Sequence, residues 1–310
     1  MTVHNFIISS MVTVVAVVLA SSATDVFSSD KYLSDNYTNI EFSDFYSKLG
    51  KQSGTPISQN TAVVSVDGCS RSQLASIIDT LNTVADVICL DILFKRKEPQ
   101  DSILISKINS CDNIVLPYVL AKTSEKYIES DSSYFYKALD TSSVHYGAVN
   151  LNAEKVGDII RRFKSEFDLA NGKKMDSFAT AAIRCYAKVK KNNSLKSLPD
   201  ELKQINFHNV EIPKYSVSDI LQNKDVLRGR LVLLGYDENL SDRHNVPVHG
   251  SLSGVVIHAY IIETILSGKY VSENIGWIDF PLAILVTFFF SLFVCYNSSL
   301  IFPVPKRLWQ

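Results

Sequence analysis

Apolar and polar residues alternate in blocks along the first half of the chain, and these blocks predict strands and helices in turn. Residues 61–66 are β-branched and apolar, which predicts a buried strand, and apolar residues at helical spacing follow it. Residues 85–94 and 113–120 predict two further buried strands, with a helix between them over residues 101–108. Because strands and helices alternate, we expect a parallel sheet with helices over its faces.

The second half of the chain alternates less regularly. Residues 121–204 are more polar, and within them residues 144–151 predict a strand and residues 176–188 a helix that begins at Asp176. Beyond them the pattern predicts, in order, a strand over 205–212, a short helix over 216–221 capped by Ser216 or Ser218, a strand over 230–234 that Gly235 ends, a long loop to Ser253 and an apolar helix over 254–266. The expected fold class is therefore α/β, with a mostly parallel or mixed sheet and flanking helices.

The C-terminal part of the chain carries a long apolar stretch. Residues 276–296 contain one charged residue, Asp279, and residues 280–296 contain none. About 20 apolar residues suffice to cross the hydrocarbon core of a bilayer. We therefore expect residues 276–296 to form a transmembrane helix, with Trp277 and Tyr296 at the two interfaces.

The N-terminal stretch, residues 5–23, has two interpretations. Residues 6–20 are free of charge, as in a membrane anchor, and small residues follow them, as in a signal peptide cleaved after Ala23. No Lys or Arg precedes the apolar run, which favours an uncleaved anchor. Either interpretation places the middle of the chain outside the cytoplasm.

Positive charges indicate the orientation of the expected C-terminal helix. Lys306 and Arg307 lie shortly after it, and positively charged flanks of membrane helices tend to stay in the cytoplasm. We therefore expect a linker at residues 24–40, one extracytoplasmic domain at residues 41–275 and a short cytoplasmic tail at residues 297–310.

Overall charge and cysteine usage indicate neither a nucleic-acid partner nor a metal. The chain has 31 Lys and Arg against 32 Asp and Glu, a formal net charge of -1, so no global field favours nucleic acid. The cysteines before the C-terminal helix include no CxxC pair, which argues against a zinc site; they are Cys69, Cys89, Cys111 and Cys185. The sequence is compatible both with disulfides among these four cysteines and with free buried thiols.

The loop after the strand predicted at 230–234 carries the densest group of polar side chains. In open α/β sheets, ligands bind beyond the carboxyl ends of the strands, so this position favours a binding site. The alternative is a solvated connection whose Asp and Pro residues set turns. The candidate ligand-binding residues are Asp237, Asp242, Arg243, His244 and His249 of this loop, with Asp67 and Asp91 at the ends of two earlier strands.

Signatures of catalysis, metal binding and nucleotide binding are incomplete. Residues 250–254 (GSLSG) resemble the GxSxG elbow of hydrolases, but Leu252 stands where the nucleophilic Ser is needed. Metal-ligand side chains are present at a spacing that matches no metal motif; they are Asp242, His244, His249 and His258. Phosphate-binding loops of the GxxxxGK[ST] and GxGxxG types are missing. We assign no catalytic residue, no metal and no cofactor.

A series of short motifs runs through the central part of the chain. They are VVSVDG at 63–68, Arg71, Leu74, VICLDILF at 87–94, Asp101, NIVLP at 113–117, HYGAVNL at 145–151, SVSDIL at 216–221, RGRLVLLG at 228–235, Asp242, Pro247 and GVVIHA at 254–259. In this order and spacing the chain resembles, over about residues 40–275, the second class of CHASE domain. These domains are extracellular sensor modules found beside cyclases, histidine kinases and protein kinases in bacteria.

The resemblance implies an input domain on the outer side of a bacterial inner membrane, with an unidentified small-molecule or envelope ligand. Such domains are commonly followed by several transmembrane helices and an output domain, whereas here one apolar segment precedes residues 297–310. We therefore expect the signal to pass to a separate cytoplasmic or membrane partner. Two alternatives stay open, a periplasmic hydrolase of unrecognised type and a non-catalytic scaffold that assembles partners at the membrane.

Overall fold

The computed structural model describes most of the central part of the chain and a short segment near its C-terminus. The described residues are 54–123, 126–140, 144–151, 159–191, 198–199, 202–271 and 284–293. The segments expected at 5–23, 24–40 and 297–310 lie outside them, as does most of 276–296. Among the described helices, none combines the length and the hydropathy that crossing a membrane requires.

The chain divides into two compact units. One unit is Phe42–Val271, and the other is Met1–Glu41 together with Ser272–Gln310. In the latter, residues 284–293 form a helix. The strands and helices below all belong to the unit Phe42–Val271.

Strands and helices alternate along this unit as the sequence predicts. The strands are β1 (Thr61–Ser65), β2 (Val87–Leu90), β3 (Ile114–Thr123), β4 (Lys126–Asp131), β5 (His145–Ala148), β6 (Arg162–Phe163), β7 (Glu166–Asp168), β8 (Lys174–Asp176), β9 (Lys203–Gln204), β10 (Lys214–Ser216), β11 (Leu231–Gly235), β12 (Arg243–Val246) and β13 (Gly250–Ser253). The helices are α1 (Arg71–Leu81), α2 (Asp101–Asn109), α3 (Phe178–Val189), α4 (Val217–Gln222) and α5 (Gly254–Ser267). In the described part of the unit, 3-10 helices lie at Tyr136–Ala138, Lys224–Leu227 and Leu240–Asp242.

Seven strands form one mixed sheet at the centre of the domain. Six of them are parallel, in the order β10, β1, β11, β2, β3, β5. The long strand β3 pairs with β5 over Val115 to Tyr118, and its later part pairs with β4 in the antiparallel direction. The expectation of an α/β fold with a mostly parallel or mixed sheet is therefore confirmed.

The central strands supply side chains to two apolar cores, one on each face of the sheet. In β1, Val64 packs in the core that includes α1 and α2, while Val63 packs in the core that includes α3 and α5. The same alternation places Leu90 of β2 in the first core and Cys89 in the second. Because both faces are buried, these strands have continuous apolar sequences, which is why they were predictable.

Two helix starts follow ordinary capping chemistry. The hydroxyl group of Ser70 accepts a hydrogen bond from the Gln73 N–H at the start of α1, and Ser216 caps α4 in the same way. The prediction that α3 begins at Asp176 is wrong by two residues. Asp176 pairs in β8, and Ser177 is the cap, because its hydroxyl accepts a hydrogen bond from the Thr180 N–H.

The prediction of a strand over residues 205–212 is wrong. Among the described residues here, Lys203 and Gln204 form the strand β9, and the chain bends at residues 207–209. The side chain of Asn206 explains the bend, since its oxygen accepts from the His208 N–H and its amide donates to the Lys269 carbonyl. The apolar side chains Ile205 and Phe207 are nevertheless buried. The apolar pattern therefore indicated burial correctly but did not indicate a strand.

The long loop predicted before Ser253 contains a β-hairpin. Strands β12 and β13 pair in the antiparallel direction, with Arg243 opposite Ser253 and Val246 opposite Gly250. The polar middle of the chain likewise contains short strands that the pattern missed, namely β4, β6, β7, β8 and β9. These strands are short and polar, so period-two alternation is too brief to detect.

The cysteines of the domain are thiols. Cys69, Cys89, Cys111 and Cys185 are all free, and the last three are buried. Burial raises the pKa of the Cys111 and Cys185 thiols to about 11 in each case. They therefore behave as small apolar core residues.

The connections on the two faces of the sheet create a crevice between β2 and β11, which are neighbours. After β2 the chain continues to α2 in one core, and after β11 it continues to α5 in the other core. Neighbouring parallel strands whose connections leave toward opposite faces form a topological switch point, where α/β folds bind ligands. A close contact between Gly235 of β11 and Val255 brings α5 down onto this edge, because a β-carbon at residue 235 would lie 2.8 Å from the Val255 side chain.

Candidate functional site

A cavity of about 570 Å³ opens at the carboxyl ends of the strands, at the switch point between β2 and β11. Its lining combines apolar walls with carboxylate, imidazole, amide and hydroxyl groups. The lining residues are Asp91, Leu93, Lys95, Val119, Val149, Asn150, Leu151, Tyr236, Asn239, Ser241, Asp242, His244, Gly254 and His258. This mixture is typical of a site for a small molecule.

Asp91 is the first residue after β2, and its backbone is fixed by the neighbouring strand. Its N–H donates a hydrogen bond of 2.8 Å to the carbonyl of Leu234 in β11. Burial of the carboxyl group, and next the charge of Asp242, raise the pKa of Asp91 to about 7. Near neutral pH this group can therefore exchange a proton, or hold its charge if a cation joins it.

Asp242 ends the 3-10 helix Leu240–Asp242, and its carboxylate lies at the start of α5. The turn is capped by Asn239, whose side chain accepts a hydrogen bond of 3.1 Å from the Ser241 N–H. A β-carbon built on Gly254 would lie 3.0 Å from Oδ2 of Asp242, so the carboxylate rests against the first residue of α5. A negative charge at a helix N-terminus is favourable.

His244 follows in β12 and is close to the same carboxylate. Its Nε2 atom lies 3.5 Å from Oδ1 of Asp242. Both side chains line the cavity and remain partly accessible to solvent. The pair therefore presents one carboxylate and one imidazole to a ligand.

His258 lies in the first half of α5 and is almost entirely buried, with 3% of its surface exposed. Its ring makes a hydrogen bond with the backbone of Val149 and packs edge-on against Phe178 at 5.2 Å. Its Nδ1 atom has no hydrogen-bond partner among the described residues. Burial lowers the pKa of His258 to about 4, against the opposing effect of the Asp242 charge, so the ring is neutral.

Asp67 and Asp237 form a separate network at the ends of β1 and β11. Oδ2 of Asp67 accepts hydrogen bonds from the backbone N–H groups of Asp237 and Glu238, at 2.9 and 3.2 Å. Asp237 accepts from Lys214 at 2.8 Å and from Ser253 at 2.6 Å. Burial acts to raise the pKa of Asp237, but these hydrogen bonds outweigh it and lower the pKa. Both carboxylates therefore hold strand ends together.

Arg243 and His249 also lie away from the cavity lining. The guanidinium group of Arg243 donates to the carbonyls of Ser251 and Asp237, at 3.0 and 3.2 Å, and so fastens the hairpin. His249 lies in a second cavity, of about 380 Å³, on the other side of α5's first turn. Its Nε2 atom is 2.8 Å from the Phe207 carbonyl oxygen.

The structure thus divides the sequence-predicted site residues into two groups. Asp91, Asp242 and His244 meet in one cavity, as the strand-end rule predicts. Asp67, Asp237, Arg243 and His249 do not line it and take structural contacts instead. Three of the seven candidate residues thus share this cavity and four lie elsewhere, because a loop of this length points its side chains in several directions; ligand binding by any of them stays a prediction.

Some lining residues were missed by sequence reasoning. Asn150 is held by two hydrogen bonds of 2.7 Å with the backbone of Leu120, which fix it at the end of β5. His258 is not among the ligand-binding residues predicted from the sequence, although it lies four residues after Gly254 and hence on the same side of the helix. Among the described residues, no group of three or more His, Cys, Asp or Glu side chains is arranged to hold a metal ion.

Comparison with known proteins identifies one family. The family model described as the CHASE2 domain matches residues 51–296, which is more than half of the chain. The resemblance inferred from the motifs is therefore confirmed. No curated protein and no solved structure matches the chain at a significant level.

Proposed function

The chain belongs to the CHASE2 family of extracellular sensory domains, and we propose that it senses a small ligand bound in the cavity between β2 and β11. The domain lies outside the cytoplasm, held by apolar segments at residues 5–23 and 276–296. The bacterial inner membrane is the expected location. A separate membrane or cytoplasmic partner receives the signal.

The observation that carries this proposal is the position of α5. This helix has 14 residues and so spans about 21 Å. It begins at the cavity, where Gly254 meets the Asp242 carboxylate. Near its other end, the Glu263 carboxylate accepts a hydrogen bond from Thr61, the first residue of β1. One rigid helix therefore runs from the candidate ligand site, at the carboxyl ends of the strands, to the amino-terminal end of β1.

The residues at this end of α5 lie close in sequence to the two ends of the domain. The side chain of Glu263 accepts hydrogen bonds from Ser58, from Asn60 at 3.3 Å and from Thr61 at 2.8 Å. The apolar segment 276–296 begins nine positions after Ser267, the last residue of α5. A shift of α5 would thus be passed along a short stretch of chain toward the membrane.

The location is tested by thiol labelling of intact spheroplasts. In a chain with Cys69 and Cys295 changed to Ser, Leu240→Cys is the probe, because Leu240 is 85% exposed. We expect Leu240→Cys to react with a membrane-impermeant maleimide in intact cells, and Ser298→Cys to react only after the membrane is opened. Protection of Leu240→Cys in intact cells would contradict an extracytoplasmic domain.

Ligand sensing is tested by a thermal-shift screen of small polar molecules on the full chain. Compounds that raise Tm are tested again on Asp242→Asn and on Asp225→Asn, a control far from the cavity lining. We expect stabilisation to be lost in Asp242→Asn and kept in Asp225→Asn. Equal stabilisation of both variants by every active compound would place binding elsewhere and contradict the proposal.

A further inference from the structure

The cavity between β2 and β11 presents hydrogen-bond acceptors from two carboxyl groups. Asp91 and Asp242 both line it, and the charge of Asp242 acts directly on Asp91. Two carboxylates in one small cavity repel each other unless a proton or a cation lies between them. This arrangement by itself does not define a ligand, because acidic residues also serve structural roles.

A third acceptor is independent of the two carboxylates. His258 is 97% buried, since 3% of its surface is exposed, and its Nδ1 atom has no partner among the described residues. The ring also has a hydrogen bond with the Val149 backbone. In the neutral tautomer that carries its proton on Nε2, Nδ1 is an acceptor. A buried acceptor without a donor is costly, and His258 lines the cavity, so a ligand N–H that reaches Nδ1 would complete it.

The feature that would favour an anion is already occupied. Helix N-termini attract anions because their first N–H groups are unpaired. At α5 the Asp242 carboxylate lies against Gly254. The hydroxyl group of the cap residue Ser253 donates a hydrogen bond to Asp237 and does not cap the helix. An anionic ligand would therefore have to displace Asp242 from the helix.

Apolar walls limit the rest of the ligand. Leu93, Val119, Val149 and Leu151 contribute to the lining. The cationic side chain in the same lining is Lys95, and His244 lies next to Asp242. Asp242 offsets the charge of Lys95, and ionisation of Asp91, whose pKa is about 7, makes the cavity complementary to a positively charged head on a short apolar body.

From these acceptors and walls, we infer that the cavity takes a small organic cation, a protonated amine or amidinium group whose N–H donors bind Asp91, Asp242 and Nδ1 of His258. The inference deepens the proposed sensory function and rests on it. An ammonium or amidinium head supplies several N–H donors and one positive charge, which matches three convergent acceptors.

The test is calorimetric titration of the full chain with matched four-carbon probes. The probes are 1,4-diaminobutane, n-butylamine, n-butanol and butyrate, with magnesium chloride as a separate arm. We expect the two amines to bind and the alcohol, the carboxylate and magnesium to fail. In Asp91→Asn, Asp242→Asn and His258→Phe, amine affinity should fall by at least about tenfold. It should be unchanged in Asp225→Asn.

Several outcomes would overturn the inference. Amine binding that is equal in wild type, Asp91→Asn and Asp242→Asn would place the amines elsewhere, and no amine binding at all would remove the ligand class. Binding of butyrate or magnesium that depends on Asp242 would also overturn it, but would leave the proposed sensory site standing. Because His258→Phe removes a core histidine, folding of each variant is verified by its thermal transition, and Asp242→Asn decides the matter if His258→Phe does not fold.

Discussion

The carboxylate of Asp242 lies closer to Gly254 than a larger residue at position 254 would allow. A β-carbon at residue 254 would lie 3.0 Å from Oδ2 and 3.1 Å from Oδ1. To make room for it, the carboxylate would have to move by a few tenths of an ångström. Gly254 therefore sets the position of a neighbouring side chain, and its own φ angle is not positive. This contact joins the cavity wall to the first turn of α5.

We predict that Gly254→Ala weakens binding in the cavity without unfolding the domain. The new methyl group pushes the Asp242 carboxylate away from the helix start, so amine affinity should fall about tenfold, while stability changes by less than about 1 kcal/mol because Ala suits a helix. Calorimetric titration and thermal unfolding measure the two quantities. In the double variant with Asp242→Asn the two losses should not add, because both act through one carboxylate. Full additivity would show that Gly254 acts independently.

A buried ion pair between Arg71 and Asp101 should contribute strongly to stability. The guanidinium Nε lies 3.1 Å from Oδ1 of Asp101, and both residues are at most 8% exposed. Arg71 also stacks over the Phe94 ring at 4.1 Å. Asp101→Asn breaks this buried pair and leaves Arg71 with the half-exposed Glu98, 3.2 Å away, so it should lower the free energy of unfolding by about 2 kcal/mol at pH 7. Urea denaturation measures it.

The control for that prediction is the exposed pair Arg228 and Asp225, each 64% exposed. Asp225→Asn should change stability by less than about 0.5 kcal/mol. Burial acts to raise the pKa of Asp101, but hydrogen bonds from Tyr134, the Glu98 N–H and Arg71 outweigh it and lower the pKa. Its stabilisation is therefore present above the unfolded-state pKa and is lost as the pH falls through the lowered one. Equal losses in both variants at pH 7 would refute the distinction between buried and exposed pairs.

Glu263 should matter for stability through three neutral donors. Its carboxylate accepts from Ser58, Asn60 and Thr61, all near the beginning of β1. In Glu263→Ala the hydroxyl groups of Ser58 and Thr61, 3.2 Å apart, can still bond each other, but one of them loses its acceptor at about 1–3 kcal/mol, so we expect a loss of roughly 2 kcal/mol in urea denaturation. Glu263→Gln keeps one acceptor oxygen and should lose less than half as much. Equal stabilities of Glu263→Ala and wild type would mean that these hydrogen bonds do not stabilise the domain.

Amine affinity should rise with pH up to about pH 7. A cation binds the ionised form of Asp91. Because the pKa of Asp91 is raised to about 7, most of this carboxyl is protonated at lower pH and must lose its proton before the cation binds. Affinity should therefore fall by up to about tenfold per pH unit below pH 7 and be flat above it. The titratable groups that face Asp91 are Asp242, His244, His258, Lys95, Tyr236, Tyr136 and Cys89.

Calorimetry at several pH values checks this dependence. Over that range His258 stays neutral, because burial lowers its pKa to about 4. His244→Gln is the control that removes the remaining imidazole, and it should leave the slope in place. Asp91→Asn should flatten the profile. A slope that survives in Asp91→Asn would assign the proton to another group.

The central sheet could be predicted because its strands are apolar on both faces. β1, β2, β11 and the first part of β3 are apolar runs, and each was located from that signal. The polar strand β4 gave no such signal, since its sequence KYIESD becomes a strand only by pairing with the end of β3. Contacts between distant parts of the chain are not visible in a local pattern.

The candidate site could be predicted only in part, for the same reason. Asp91 and Asp242 follow from the rule that ligands bind beyond the carboxyl ends of strands. The role of His258 depends on Val149, which the end of β5 brings beside α5, and on Nδ1, which has no hydrogen-bond partner in the part of the chain that the structure describes. Arg243 and His249 were assigned to the site because they share its loop, but the hairpin turns them elsewhere.

Transmission of cavity occupancy through α5 can be tested by filling the cavity covalently, which requires no identified ligand. In the chain with Cys69→Ser and Cys295→Ser, Ser241→Cys lines the cavity, whereas Leu240→Cys beside it is 85% exposed and does not line it. Both are alkylated with N-ethylmaleimide, and hydrogen exchange is measured at residues 263–271. The account predicts that alkylation changes exchange there in Ser241→Cys and leaves it unchanged in Leu240→Cys. Identical exchange before and after alkylation of Ser241→Cys would contradict the account.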